Sequence, residues 1–335
     1  MKVYLLVDLH HLFHRCKHAN TRVDADTRAA LGLHIVLHSI KMMWKKFNAD
    51  HVVICNDSWS WRKKIYENYK SGRKVVQNLR PTKEQLEDAR YFEVMDEFVL
   101  FLKEKTNVTV LHNPGIEGDD WISFWIKKHT EDRHIIISGD TDFYQLLDHN
   151  VDIFSGVSDY MLTIDSVTNN KGKNLEFEVG SNGKLKIGDV NPNFKPEAEW
   201  YKWALFLKIM RGDASDSIMT AYPRANKNKL REAYDDKNKG YCWNNIMNQT
   251  WKDENGNIVK VLDAYKRNCT LIDLTQQPAE IKQQMEEVFE KTVSKPVVTG
   301  IGFNLLKFCD EQNLVNLAKN PKEVSEFLNA TYQKD

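Results

Sequence analysis

The sequence has no apolar segment long enough to cross a membrane. None of its stretches approaches the roughly 18 consecutive apolar residues of a transmembrane helix. The apolar part of its first residues, MKVYLLVDLHH, is also too short for a secretory signal. These absences exclude an integral membrane protein, and we expect the chain to act in the cytoplasm without a membrane partner.

Paired cysteines and an excess of either charge are missing as well. The five cysteines are scattered singly, which argues against a zinc knuckle or a disulfide framework and favours reduced thiols. The 47 basic and 47 acidic residues cancel, so the net charge neither supports nor excludes a nucleic-acid partner. The local distribution of charged residues must therefore indicate what the chain binds.

Short apolar runs alternate with longer amphipathic stretches in the first half of the chain. Helical patterns stand out at 27–47 and 82–105. This alternation predicts an α/β fold with a mainly parallel central sheet flanked by helices. The runs rich in β-branched residues, which read as strands, are VYLLV at 3–7, HVVIC at 51–55, VTVL at 108–111 and HIIIS at 134–138.

The second half of the chain has a different texture. After Phe154 the residues Asn, Gly, Lys and Ser accumulate, and LEFEVGSNGKLKI predicts a peripheral hairpin with an Asn-Gly turn. From Lys195 onward the pattern is almost entirely helical, beginning with the apolar EWYKWALFLKIM. We therefore predict an α/β domain at 1–196, followed by a helical region at 197–335.

Acidic residues follow each predicted strand within a few positions. Because the carboxyl ends of parallel strands share one edge of a sheet, where ligands bind, we expect these groups to converge. Asp140 and Asp142 share a side if the turn between them is extended. Glu117 and Asp120 share a face at a helix start, whereas Asp119 points elsewhere unless the first turn is irregular. With a pair from RGDASDSI, the candidates are Asp8, Asp57, Glu117, Asp119, Asp120, Asp140, Asp142, Asp213 and Asp216.

A crevice with so many carboxylates indicates a metal site. Like charges raise one another's pKa, and divalent cations relieve the repulsion. All the candidate ligands are oxygens and no His or Cys recurs with zinc spacing, so Mg²⁺ or Mn²⁺ is the natural choice. Two such ions about 4 Å apart would clamp the attacking and leaving oxygens of a phosphodiester. Taken singly, each acidic residue also fits a helix N-cap or a turn.

A basic and aromatic stretch, SWSWRKKIYENYKSGRK, follows Asp57 directly. It carries six basic residues between Arg62 and Lys74 against a single Glu. Such a stretch, including Lys74, would bind phosphates through its cations and stack on bases through its tyrosines. The alternative is a solvated helical face without a ligand. If the stretch is helical, the residues on one face are Arg62, Tyr66, Tyr69, Lys70 and Arg73.

Several motifs together resemble one nuclease superfamily. GIEGDDWI is similar to its Glu-Ala-Asp-Asp helix start, ISGDTDFYQLL to its Ser-Gly-Asp-x-Asp segment and RGDASDSI to its Gly-Asp-x-x-Asp-Asn motif. VDLHHLFHR, NDSWSWRKKIYENYKSGR and RNCTLIDL stand in the expected order around them. The chain thus resembles the flap endonuclease and 5′→3′ exonuclease superfamily, especially its phage branch, which includes the T-even phage ribonuclease H.

The resemblance implies a PIN-like 5′ nuclease fold and a role in DNA replication. It implies that the nine carboxylates surround two Mg²⁺ ions, directly or through water, with Mn²⁺ as a substitute. Lys70 and Arg73 match an arch at about 58–92, and with Asp140 and Asp142 they are the expected catalytic residues. The expected substrates are DNA with a 5′ flap or 5′ end and RNA–DNA hybrids such as RNA primers. We expect a monomer whose further partners are a single-strand-binding protein or a sliding clamp.

One segment departs from the family pattern. The family usually carries a glycine-containing helix-turn-helix that grips the duplex with the help of a monovalent ion. Here no glycine occurs at 217–236, which argues against a bound K⁺. The resemblance therefore implies that basic side chains hold the duplex instead, namely Arg224, Lys227, Lys229 and Arg231.

Two alternatives remain open from the sequence. A PIN-like nuclease of single-stranded RNA shares a smaller acidic cluster on a similar sheet, although such domains are short. A catalytically silent protein that binds nucleic-acid junctions is the other, but a pure binder gains nothing from carboxylates that repel phosphate.

Overall fold

In the computed structural model, which describes residues 1–17, 23–73, 80–156, 159–236 and 238–334, the apolar runs form the parallel part of a nine-stranded sheet. The five strands of this part are β1 (Val3–Asp8), β2 (His51–Cys55), β3 (Thr109–Leu111), β4 (Arg133–Ile137) and β5 (Val151–Ser155). They are parallel and lie in the order β3-β2-β1-β4-β5. The mainly parallel α/β sheet and its four predicted strands are thereby confirmed.

The fifth parallel strand, β5, is one that the sequence pattern does not predict. Its apolar run is interrupted by Asp152, which would read as a turn residue. In the structure this carboxylate accepts a 2.8 Å hydrogen bond from Arg133 at the start of β4. The neighbouring strand therefore compensates a charge that the sequence alone leaves unexplained.

An antiparallel meander extends the sheet beyond β5. The predicted hairpin is confirmed, and its turn at 180–183 contains Gly183 with φ of +80°. The meander strands are β6 (Tyr160–Leu162), β7 (Val167–Asn169), β8 (Asn174–Val179) and β9 (Leu185–Val190).

The first-half helices cover both faces of the sheet. They are α1 (Leu9–Lys17), α2 (Ala25–Phe47), α3 (Arg62–Ile65), α4 (Thr82–Lys105) and α5 (Gly118–Lys128). Because neighbouring strand residues point to opposite sides, Leu5 and Val7 of β1 pack with α2 and α4, whereas Tyr4 and Leu6 pack with α5. Both faces of β1 are buried, which explains its continuous apolar run.

The second half is helical, as its pattern indicates. It also contains a short hairpin of β10 (Thr250–Lys252) and β11 (Ile258–Lys260). None of the described helices is long and apolar enough to span a membrane. The helices are α6 (Trp200–Arg211), α7 (Lys227–Asp235), α8 (Tyr241–Met247), α9 (Val261–Ile272), α10 (Ala279–Val293), α11 (Ile301–Glu311), α12 (Val315–Ala318) and α13 (Pro321–Asn329).

The last helices return to the first half of the chain. Phe308 of α11 stacks on Phe101 of α4 with ring centroids 4.3 Å apart, and Phe327 of α13 is buried in the same cluster. On the other face, α6 and α10 share a hydrophobic cluster with α5. The division of the chain at residue 196 stays a prediction, since each cluster draws on residues from both sides of it.

Candidate functional site

The site lies where the order of the parallel strands changes direction, beside β1. From β1 the chain proceeds outward to β2 and β3, and then crosses to β4 on the other side. Asp8 ends β1, and its Oδ2 accepts a 3.0 Å hydrogen bond from the Ser138 hydroxyl just after β4. Its Oδ1 accepts from the His11 backbone N–H at 3.1 Å. The geometry fixes this carboxylate in the crevice where open α/β sheets bind ligands.

A cleft of about 870 Å³ opens over this edge of the sheet. Its carboxylates come from the ends of all four predicted strands, as the sequence predicts. Cations also line it, among them Lys70 and Arg73. The acidic residues that line it together with these cations are Asp8, Asp57, Asp119 and Asp140, with Asp88 farther along the wall.

Asp57 is held by the start of α5. Its Oδ1 accepts a 2.6 Å hydrogen bond from the backbone N–H of Gly118. A Cβ on Gly118 would lie 3.1 Å from that oxygen and 3.2 Å from the carbonyl oxygen of Cys55. The glycine in GIEGDDWI therefore lets the helix N-terminus, which favours a negative charge, come close to the end of β2.

The structure reverses the predicted roles of the two aspartates in GIEGDDWI. Asp119 lines the cleft, whereas Asp120 is fully buried and points into the protein. Glu117 is the N-cap, with extended backbone at φ of −83° and ψ of 159°. The predicted shared side of Glu117 and Asp120 is kept, because Arg62 Nη1 donates to a carboxylate oxygen of each, but this side faces the interior. One carboxylate oxygen from each of the three still lies within 4.8 Å of the others.

Three side chains from two segments of the chain donate hydrogen bonds to Asp120. Arg62 donates to both of its oxygens, at 2.8 and 2.9 Å. Trp61 Nε1 donates at 2.9 Å and Gln277 Nε2 at 3.1 Å. Since its oxygens are already bound inside the protein, the structure places Asp120 as a support for the cleft wall.

Glu117 lies between the buried support and the cleft. It accepts from Arg62 Nη1 at 2.8 Å and contacts Lys70 Nζ and the Ser60 hydroxyl. Burial alone would raise its pKa, but Lys70 and Arg62 outweigh burial and lower the pKa of Glu117 to about 2. The carboxylate is therefore ionised and holds the lysine beside the cleft.

Asp140 and Asp142 diverge, because the segment after Asp140 is a 3₁₀ helix (Thr141–Leu146) and not an extended turn. Asp140 caps this helix and lines the cleft. Asp142 contacts the ammonium of Lys208, which also lies 2.8 Å from Asp213 Oδ2. The predicted shared side is therefore wrong, and Asp142 pairs with the RGDASD loop through a lysine.

The second aspartate of that loop, Asp216, contacts the basic stretch. Its Oδ1 accepts from Arg73 Nη2 at 2.6 Å, and its backbone oxygen accepts from the Lys70 N–H at 2.8 Å. Tyr69 Oη lies 3.3 Å from Asp216 Oδ2 and 3.2 Å from Glu117 Oε2. The segment carrying Lys70 and Arg73 thus docks on the RGDASD loop through both side chains and backbone.

The basic stretch is not one helix. Helix α3 ends after four residues, Tyr66 is extended, and Lys70 has φ of +55°. The side chains of Arg62 and Tyr69 are buried, at 1% and 2% exposure, so neither lies on a nucleic-acid surface in this conformation. Tyr66 lies under the guanidinium of Arg267, and the predicted binding residue Lys74 lies outside the described residues.

Three carboxyls that line the cleft have a raised pKa. Burial, with smaller contributions from Asp57 and Asp140, raises the pKa of Asp8 from 3.8 to about 7. Burial also raises the pKa of Asp57, and it raises that of Asp119 further, helped by Glu117 and Asp120. The three carboxyls therefore lie in surroundings that disfavour their charged forms in the metal-free protein.

The predicted duplex-binding residues lie around α7. Arg224 and Lys229 are exposed. Lys227 is half-buried and donates from Nζ to the carbonyl oxygen of Val179 at 2.6 Å. Arg231 pairs with Glu197 and with Asp235, so its charge is neutralised within the protein. Arg224 and Lys229 therefore offer the more accessible cations, and their role stays a prediction.

Several residues in or beside the cleft are not among the predicted site residues. His10 and His14 stack with centroids 4.5 Å apart on the cleft wall, and His11 Nε2 accepts from the Gly139 N–H at 3.2 Å. Their position depends on how α1 packs, which spacing does not reveal. The sequence does contain a signal for Lys208. It is a single lysine within the apolar WALFLKIM, and a buried lysine needs an acidic partner.

The mainly parallel sheet with helices on both faces and acidic strand ends defines the class of PIN-like 5′ nuclease folds. The family model described as 5′-3′ exonuclease, N-terminal resolvase-like domain, matches residues 3–172, about half of the chain. The chain belongs to this family, which confirms the resemblance to the 5′→3′ exonuclease and flap endonuclease superfamily.

Individual relatives share this family or this fold. The 5′-3′ exonuclease of Buchnera aphidicola subsp. Acyrthosiphon pisum (strain APS) is 29% identical over 149 residues, which cover 42% of this chain and 48% of that protein. The chain thus spans about half the length of the curated relative it matches.

Solved structures from bacteriophage T5 have the same fold. A flap endonuclease in a pseudo-enzyme–product complex with DNA and metal ions has a TM-score of 0.58 at 18% identity, covering 86% of this chain and 98% of that chain. A 5′-exonuclease with bound zinc has a TM-score of 0.59 at 18% identity, covering 86% and 99%. At these identities the likeness establishes the fold alone.

Proposed function

We propose that the protein is a metal-dependent phosphodiesterase that hydrolyses nucleic acid near 5′ ends, as a 5′→3′ exonuclease and flap endonuclease. The observation that carries this proposal is the cleft, which carboxylates from four strand ends line together with Lys70 and Arg73. A carboxylate cluster alone would repel a phosphodiester, whereas one that holds cations beside basic side chains attracts it.

The donor set fits hard divalent cations. The candidate ligands are carboxylate oxygens, which such ions prefer, and Asp8, Asp57 and Asp119 line the cleft together. We propose Mg²⁺ as the physiological ion, with Mn²⁺ as a substitute and two ions in the working site. Asp8, Asp57, Glu117, Asp119 and Asp140 would hold one ion, and Asp142, Asp213 and Asp216 would contribute to the other.

The chain's own residues then have distinct tasks. Bound divalent ions would supply Lewis acidity and lower the pKa of a coordinated water. Lys70 and Arg73 would hold the scissile phosphate at the cleft mouth, since their charges already face Glu117 and Asp216. Arg62, Tyr69 and Asp120 would position this pair from within the protein. Arg224 and Lys229 would attract the duplex backbone.

The substrate class is part of the same proposal. We propose DNA with a 5′ flap or 5′ end and RNA–DNA hybrids, consistent with removal of RNA primers or flaps in phage-type DNA replication. The family membership supports the 5′-directed activity, and the choice between RNA and DNA rests on the substrate assay below.

The test is cleavage of a panel of 5′-labelled substrates with Mg²⁺ or with EDTA. The panel holds a DNA flap, a nicked duplex, an RNA–DNA hybrid, and single-stranded DNA and RNA. We expect Mg²⁺-dependent product from flap and hybrid, with single strands cut more slowly. Cutting of unpaired RNA without preference for a 5′ end would point to a PIN-like ribonuclease, and flap binding without turnover in any metal would contradict the proposal.

A further inference from the structure

Lys208 is a buried cation between two carboxylates of the candidate site. It lies in the last turn of α6 and is 8% exposed. Its ammonium contacts Asp142 Oδ1 and lies 2.8 Å from Asp213 Oδ2. The two aspartates come from different segments, one after β4 and the other after α6. A single side chain from the second half of the protein therefore bridges both.

The position of Lys208 is fixed by the packing of the β8–β9 hairpin. A Cβ on Gly183 would lie 2.5 Å from the carbonyl oxygen of Ala204 and 3.3 Å from both N and Cβ of Lys208. The turn thus rests directly on the backbone of α6 at this lysine. Leu207 and Ile209 on either side of it are buried. The meander therefore holds Lys208 at a set place beside Asp142 and Asp213.

The carboxylates fall into two groups with different compensation. Asp142 and Asp213 share the ammonium of Lys208, and this lysine, acting against burial, lowers the pKa of Asp213 to about 2. Among the described residues no lysine or arginine forms an ion pair with Asp8 or Asp119. The oxygens of Asp8 accept hydrogen bonds from a neutral hydroxyl and a backbone N–H.

We propose that Lys208 is a resident counter-cation that holds the Asp142–Asp213 half of the site until a divalent ion displaces it. A divalent ion entering this half must compete with an ammonium that already lies between the two carboxylates. An ion entering beside Asp8 meets a carboxylate whose oxygens are bound only by a hydroxyl and a backbone N–H among the described residues. The free protein therefore loads its first ion at the Asp8 half, and the second half fills less readily. This inference rests on the proposed metal-dependent function and assigns Lys208 a positioning role.

Lys208→Met tests the idea, with Lys202→Met as the matched control. Lys202 lies on the same helix but is exposed, and it pairs only with nearby Glu199 among the described residues. We would measure thermal unfolding in EDTA and in Mg²⁺, and titrate Mn²⁺ by calorimetry. Lys208→Met should unfold at a lower temperature in EDTA, because two carboxylates face each other uncompensated, and Mg²⁺ should restore the loss. Its second Mn²⁺ site should bind at least about tenfold more tightly than in the wild type.

If Lys208 only stabilises the fold and does not compete with a metal ion, the measurements give a different result. If Lys208→Met loses the same stability with and without metal, or if the wild type binds two Mn²⁺ ions equally well without nucleic acid, the inference is wrong. Lys208→Arg guards against a variant that does not fold, since it keeps the charge and should retain the weak second site of the wild type. Lys202→Met should match the wild type in every measurement.

The outcome is separable from that of the proposed function. Restoration of Lys208→Met by Mg²⁺ without cleavage of any substrate would support the counter-cation and contradict the nuclease. Cleavage by the wild type with no metal effect on the stability of Lys208→Met would support the nuclease and overturn the counter-cation.

Discussion

Arg62 and Asp120 form a two-bond ion pair sealed inside the protein. The guanidinium nitrogens lie 2.8 and 2.9 Å from the two carboxylate oxygens, and the side chains are 1% and 0% exposed. Arg62 also donates from Nε to the carbonyl oxygen of Leu271 at 2.9 Å. The pair thus connects GIEGDDWI, the basic stretch and RNCTLIDL, three segments that the sequence marks separately.

Breaking this pair should destabilise the whole fold. Asp120→Asn leaves a buried guanidinium with less compensation, and we expect a loss of about 3–5 kcal/mol in the free energy of unfolding. Asp119→Asn is the control, because the raised pKa of Asp119 means that a neutral amide costs little in the metal-free protein. Urea unfolding in EDTA measures both. Equal losses in the two variants would contradict the assignment of Asp120 to the interior of the protein and of Asp119 to the cleft.

The cleft should make the metal-free protein less stable as the pH rises. The pKa of Asp8 is raised from 3.8 to about 7, so between these values the folded state binds a proton that the unfolded state releases. Stability is therefore lost as pH rises through this window. Asp8→Asn should remove the loss and unfold at a higher temperature than the wild type at pH 8 in EDTA, with little difference at pH 4.

Melting curves at a series of pH values test this directly, since groups that do not interact with Asp8 contribute equally to both proteins. Added Mg²⁺ should stabilise the wild type at pH 8 more than Asp8→Asn. Parallel pH profiles for the two proteins would show that the titration of Asp8 does not cause the loss of stability.

Buried histidines should limit stability in acid. Burial lowers the pKa of His134 to about 4, and His134 is fully buried against Tyr4 with no hydrogen-bond partner for either ring nitrogen among the described residues. Its contribution is present above pH 6.5 and is lost as the pH falls toward 4. His134→Leu should unfold at lower pH than the wild type, whereas the exposed control His149→Leu should not. Chemical denaturation at pH 4.5 and 7.5 distinguishes them.

The hairpin turn provides a backbone test. Gly183 and Gly172 both have positive φ, so an alanine at either costs about 1–2 kcal/mol. Only at Gly183 does the added Cβ meet another element, at 2.5 Å from the Ala204 carbonyl oxygen, while Gly172 has open space. We expect Gly183→Ala to lose clearly more stability than Gly172→Ala in urea unfolding. Equal losses would mean that the turn does not press on α6.

The sequence predicts the sheet and its acidic edge because both depend on local patterns. A short β-branched run ending in Asp8 or Asp57 forms a strand whose carboxyl end meets its neighbours. Which of Asp119 and Asp120 faces the cleft depends instead on distant partners. Helical spacing correctly places Glu117 and Asp120 on one side, but Arg62, which pairs with both, turns that side toward the interior.

The prediction that the basic stretch forms one helical binding face is wrong for a similar reason. Its composition indicates cations near the site, but whether a cation is buried depends on distant partners. Arg62 finds its carbonyl partner 209 residues away at Leu271, and Lys70 takes a left-handed backbone conformation to reach Glu117. Neither contact can be predicted from the spacing or periodicity of the sequence.

The most direct test of the account is single-turnover cleavage of a 5′-labelled DNA flap in Mg²⁺ by the wild type, Asp140→Asn and Asp152→Asn. Asp140 lines the cleft, whereas Asp152 is a buried carboxylate of β5 that pairs with Arg133. The account predicts that Asp140→Asn slows cleavage by at least about a hundredfold while Asp152→Asn cleaves like the wild type. Full activity in Asp140→Asn would contradict it.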